Sequence, residues 1–179
     1  MKRSFLLGVI LLTASSGMAS AGVYLGLGIG TNGFEDSAHI FNTDGRAGRL
    51  FGGFRFPNLQ YGAISVEAGV EGAGVFNGHS SADRSPTASE LFLAGKYSFP
   101  ISSDFDVFGR LGVQRTSLSD FAGSGYLAGA GIELHINTPV VSGSIFVDFT
   151  RTAQTLSGTG HDPFDSSVDR WMLGASVGF

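Results

Sequence analysis

Residues 90–114 read ELFLAGKYSFPISSDFDVFGRLGVQ. Leu91, Leu93, Gly95, Tyr97 and Phe99 take every second position, with Glu90, Phe92, Ala94, Lys96 and Ser98 between them. After a break at Pro100 to Asp104 the pattern resumes. Phe105, Val107, Gly109, Leu111 and Val113 then alternate with Asp106, Phe108, Arg110, Gly112 and Gln114. Side chains of a strand point alternately to its two faces, so a period of two predicts two strands joined by a tight hairpin. One face of each strand carries no charge. The other holds every charged residue of the stretch outside the turn.

The same alternation recurs on both sides. It predicts strands over about 23–30, 49–56, 64–71, 126–136, 141–150 and 170–179, with the uncharged face led by Val23, Leu50, Ile64, Tyr126, Val141 and Trp171. Strands of about ten residues cross a bilayer when tilted. The polar faces are rich in Gly and Ala, which suits a crowded interior better than a solvated surface. Connections at 57–60, 100–104 and 137–140 are tight, whereas 32–45, 72–87, 117–124 and 152–168 read as longer polar loops. Short turns at one end and long loops at the other mark outer-membrane barrels. The expectation is an all-β, eight-stranded antiparallel up-and-down transmembrane β-barrel with both termini periplasmic. Phe54, Phe56, Tyr97, Phe99 and Phe105 would form an aromatic girdle near the tight turns, with Phe149 and Trp171 near the other interface.

The chain has 179 residues, of which 1–21 read as a cleaved secretory signal and 22–179 as the barrel. Lys2 and Arg3 precede a short apolar run from Phe5 to Leu12, and Ala19-Ser20-Ala21 is a small-x-small cleavage site. Of eleven Lys and Arg, two precede that site, leaving nine against fifteen acids, a net charge of −6. That balance offers no basic face for nucleic acid. The absence of Cys excludes disulfides, thiolate metal sites and lipidation after the signal. The C-terminus places Trp171, Leu173, Ala175, Val177 and Phe179 on one face. This row looks like the assembly signal of outer-membrane proteins, implying contact with the barrel-assembly machinery and, after insertion, with outer-membrane lipid and lipopolysaccharide.

Over residues 48–179 the chain resembles the OmpA-like transmembrane domain. Phe51-Gly52-Gly53, Val66-Glu67-Ala68-Gly69 and Gly131-Ile132-Glu133 carry part of the likeness. Ala94 to Ile101, running into Ser103 to Val107 and Arg110-Leu111-Gly112, carries its most specific part. No peptidoglycan-binding domain is expected, which makes the chain more like the short OmpX-type barrels. Parity alone puts Glu67, Glu71, Glu90, Asp106, Glu133, Asp148, Arg49, Arg55, Lys96, Arg110 and Arg170 inside. Counting from the tight turns sets Glu67, Lys96, Arg110 and Glu133 at similar depth. The resemblance implies that these four form a lumen ion-pair network resembling a gate. Phe146 stands where the family carries an interior Arg, a departure that Arg55 or Arg110 would have to make good.

Catalysis is not expected. His79-Ser80-Ser81 with Asp83, and His161-Asp162, are chance neighbours in polar loops, and His135 is followed by Ile136-Asn137 rather than by a nucleophile. His39, His79 and His161, with Asp36, Asp162 and Asp165, lack metal-ligand spacing, so no metal or cofactor is expected. The functional expectation is a non-enzymatic barrel serving envelope integrity and surface interaction. The alternatives are a narrow low-conductance channel and an adhesin acting through loop residues such as Phe34, Ile40, Phe41, Phe76 and Phe164.

Overall fold

The computed structural model describes residues 22–36, 42–56, 59–74, 88–118, 121–137, 142–158 and 161–179. The signal segment lies outside them. Eight strands follow in order: β1 (Gly22–Asp36), β2 (Asn42–Arg55), β3 (Ala63–Gly74), β4 (Ala88–Pro100), β5 (Phe105–Leu118), β6 (Phe121–Asn137), β7 (Ser142–Gly158) and β8 (His161–Gly178). Each pairs antiparallel with the next, and β8 returns to β1, so the sheet is a closed barrel without a free edge. The register Tyr24–Gly53–Glu67–Ala94–Gly112–Leu127–Thr152–Val168 runs once around and arrives at Phe34, ten residues above its start. Such a stagger obliges the strands to tilt by roughly 35–45°.

The facings follow the predicted alternation. Leu25, Leu27, Leu50, Val66, Leu93, Leu111, Ile132, Val147 and Leu173 are exposed on the outside, while Phe51, Phe92, Phe108, Leu127 and Phe146 are buried within. The aromatics Phe54, Phe56, Tyr97, Phe99 and Phe105 ring the end where β1 starts at Gly22 and β8 runs out to Phe179. At that end Leu59 and Gly62 close one hairpin through paired backbone bonds of 2.8 and 3.3 Å. Ser102 Oγ accepts the amides of Asp104 and Phe105 in the next turn. Toward the other end the Phe149 and Trp171 rings lie 5.1 Å apart.

The expected loops need correction. Residues 117–124 and 152–168 are largely strand: the ladders continue to Leu118↔Phe121 and Gly158↔His161. β1 and β2 stay paired to Glu35↔Asn42, and β3 and β4 to Ala73↔Ala88, so those connections are also shorter than expected. The strands therefore run 12–18 residues rather than about ten. Above the apolar band the outward residues become Ser117, Ser124, Thr155 and Asp165, and contrast in hydropathy disappears. The backbone ladder does not depend on that contrast. Inside, Thr152, Gln154, Leu156, Ser166 and Val168 continue the buried face. Phe164, expected as an exposed loop contact, is 9% exposed and packs edge-on against Phe121 at 5.5 Å. The side chains of Phe34, Ile40, Phe41 and Phe76 lie outside the described residues.

Glycine makes the interior fit. A Cβ on Gly26 would stand 2.3 Å from Phe51 Cζ, and one on Gly174 would stand 2.2 Å from Phe146 Cζ. The rings lie flat across bare backbone and meet each other edge-to-face at 5.8 Å. With Phe92, Ala94, Phe108 and Leu127 these rings form a buried apolar cluster inside the barrel.

Candidate functional site: an ion-paired lumen

The strands deliver their inward charges to the barrel axis. Four of these are Glu67 (β3), Lys96 (β4), Arg110 (β5) and Glu133 (β6), and the structure brings them together. Lys96 Nζ lies 2.6 Å from Glu133 Oε2 and 3.8 Å from Glu67 Oε1. Arg110 Nε lies 2.8 Å from Glu67 Oε2, close enough for charge pairing though not aligned as a hydrogen bond. Tyr24 Oη donates to Glu67 at 2.7 Å, and Ser144 Oγ donates to Glu133. Lys96 Nζ also sits 4.4 Å from the centroid of the Phe108 ring, which offers it a cation–π contact.

The pairing extends well beyond those four. Arg110 Nη1 and Arg49 Nη1 both donate to Asp148 Oδ2, at 2.8 and 2.6 Å. Arg49 Nε reaches Glu71, whose other oxygen accepts Arg170 Nη1 at 2.8 Å. Arg170 Nη2 then holds both oxygens of Glu90 at 2.5 Å. Glu133, Lys96, Glu67, Arg110, Asp148, Arg49, Glu71, Arg170 and Glu90 therefore form one chain in which acid and base alternate. Gln114 continues it from Glu90 at 3.1 Å, and Thr152 donates to Gln114 at 3.0 Å. Every ionised member is buried. Such groups persist in a low-dielectric interior only when paired, because an isolated charge there is costly.

A separate triad sits nearer the termini. Asp106 lies 2.9 Å from His135 Nε2 and 3.7 Å from Arg55 Nη2. Arg55 is partly open at the lumen mouth and does not join the main chain; Arg110 does. Phe146 packs among rings and carries no charge to the network.

Parity had placed Arg49, Glu71, Glu90, Asp148 and Arg170 inside without linking them to the four network residues. Depth counting from the turns misses the link, since it ignores the ten-residue stagger. His135 shares the parity of Glu133, which puts it on the inward face of its strand, and the structure brings it to Asp106. Of the residues weighed as metal ligands, Asp162 and Asp165 are exposed, and Asp165 accepts Thr155 Oγ1 at 2.9 Å. His39, His79 and the side chains of Asp36 and His161 lie outside the described residues. On β8, Trp171, Leu173, Ala175, Val177 and Phe179 share the outward face, and the Phe179 amide donates to Val23 O at 2.9 Å across the closing seam.

Solved structures share this architecture. Neisserial surface protein A is 14% identical with a TM-score of 0.63, over 88% of this chain and 97% of its own. Ail, the attachment invasion locus protein of Yersinia pestis, is 14% identical with a TM-score of 0.53, over 89% and 99%. A de novo designed transmembrane β-barrel is 12% identical with a TM-score of 0.50, over 89% and 97%. No curated protein matches the sequence. The model of the outer membrane protein beta-barrel domain matches residues 4–179, so the chain belongs to that family of outer-membrane β-barrels.

Proposed function

We propose that the protein is a non-enzymatic, plugged outer-membrane barrel that supports envelope integrity and presents its loop end for surface contact. One observation carries this reading: the alternating chain of nine buried ionised groups, from Glu133 to Glu90, fills the lumen beside an apolar layer of rings. Side chains fill the interior of an eight-stranded barrel, which leaves no wide aqueous path. The tight hairpins share an end with Gly22 and Phe179, and this supports a periplasmic position for that end. The row from Trp171 to Phe179 borders the closing seam, which supports its use as the assembly signal.

Single-channel recording on the refolded barrel tests the plug. The expected trace is flat, and unitary steps in the wild type would overturn it. An epitope placed just after Gly22 tests the orientation. It is expected to stay hidden from antibody in intact cells and to become accessible on permeabilising the outer membrane.

The second reading is a gate. Lys96 touches two carboxylates unequally, at 2.6 and 3.8 Å, so a small rotation would exchange its partner. Conductance appearing only after removal of Lys96 would favour it. Adhesion finds support in the likeness to Ail, an attachment invasion locus protein, and in the strands that extend the barrel beyond its apolar band.

A further inference from the structure

The outer wall carries few charges, and their position is uneven. Arg46, Arg115 and Arg151 are exposed and face outward at the loop-side edge of the apolar band. Outward strand residues at the opposite edge, such as Phe54, Tyr97, Phe105 and Phe179, are aromatic and uncharged.

Two of the three arginines belong to one patch. Tyr126 on β6 lies opposite Val113 on β5 and Ala153 on β7. Arg115 and Arg151 each lie two residues further along the same face, in opposite directions. Each is thus a diagonal neighbour of Tyr126, within about 7–8 Å of it. Tyr126 is 76% exposed, the largest value among the exposed hydrophobic side chains of the described residues. Its surroundings are small: Ser124, Ala128, Ala130 and Ala153. Leu111, Val113 and Phe149 bound the patch on the membrane side, and Ser117 and Thr155 on the aqueous side. Asp169 Oδ1 lies 3.6 Å from Arg151 Nε, and the Arg151 side chain is 58% exposed. Arg115 has no ion-pair or hydrogen-bond partner among the described residues.

We infer that Arg115, Tyr126 and Arg151 form a binding site for the phosphorylated sugar headgroup of an outer-leaflet glycolipid. Guanidinium forks match phosphate geometry, and Arg at a bilayer edge attracts anionic headgroups. A tyrosine standing in the interfacial belt between them offers a ring face to a sugar. The small neighbours leave the headgroup room to approach, and the apolar wall below receives its acyl chains. Placing the site in the outer leaflet rests on the orientation proposed above.

The test uses the mature barrel in phosphatidylcholine nanodiscs doped with bisphosphorylated lipid A, with dephosphorylated lipid A, or with phosphatidylglycerol. Lipid retained on the barrel is counted by native mass spectrometry. Wild type is expected to retain bisphosphorylated lipid A above the other two. Arg115→Gln with Arg151→Gln should weaken retention by about tenfold or more, since two charge-assisted contacts are lost. Arg46→Gln, away from the patch, should not. Heat-modifiable gel migration checks that each variant is folded. Unchanged retention in the double variant, or equal retention of phosphatidylglycerol or dephosphorylated lipid A, overturns the proposal. Lipid is supplied to both leaflets, so a failure of binding is distinct from a failure of the orientation, which the epitope reads separately.

Discussion

Lys96 is the lone lysine after residue 21, and its surroundings make it the most informative single residue. Its ammonium is held by Glu133 at 2.6 Å and by the Phe108 ring, with Glu67 at a longer 3.8 Å. Removing it strands Glu133 more than Glu67, since Glu67 keeps Arg110 and the Tyr24 hydroxyl. Lys96→Ala should therefore destabilise the folded barrel by about 3–5 kcal/mol in urea unfolding, the usual cost of breaking a buried pair. Adding Glu133→Gln should restore more of that loss than adding Glu67→Gln. The opposite ranking would mean that Lys96 pairs chiefly with Glu67. Tyr24→Phe removes only a hydrogen bond to a charged acceptor and should cost about 1.5–3 kcal/mol by the same measurement.

At the scale of the strand, facing and height decide what a substitution does. Leu93 points outward within the apolar band, four residues from the girdle residue Tyr97, whereas Thr155 points outward above it. Leu93→Arg should lower stability by about 2–4 kcal/mol, the cost near the bilayer midplane, and Thr155→Arg by about 0–1 kcal/mol. Equal costs in lipid vesicles would show that the band has been placed at the wrong height. Deleting Phe179 removes an exposed ring and the amide that donates to Val23 O across the seam. Outer-membrane yield should fall while export through the inner membrane continues. Unchanged yield would mean that the last residue is dispensable for assembly. Strand facing was legible because the pleat is a local property that shows in every pair of residues. Strand length was not, because β7 and β8 continue past the band, where the outward face turns polar, the inward face mixes Thr152, Gln154 and Ser166 with Leu156, Phe164 and Val168, and only the ladder marks the strand.

For the whole molecule, the decisive quantity is whether ions pass. A rigid plug predicts flat single-channel traces for the wild type and a loss of stability without conductance for Lys96→Ala. A gated lumen predicts cation-selective steps in Lys96→Ala, because an unpaired carboxylate in a wet constriction favours cations. The sequence alone determined the number of strands, the face of each residue within the apolar band and the roster of eleven inward charges, since all three follow from period-two alternation and its interruptions. Tertiary structure alone decided which charges meet. Arg49 and Asp148 stand 99 residues apart on β2 and β7, as do Arg170 and Glu71 on β8 and β3. They meet because closure turns strands distant in sequence toward one axis, and the ten-residue stagger sets their heights. Neither closure nor stagger is a property of any single strand, so no local pattern could display them.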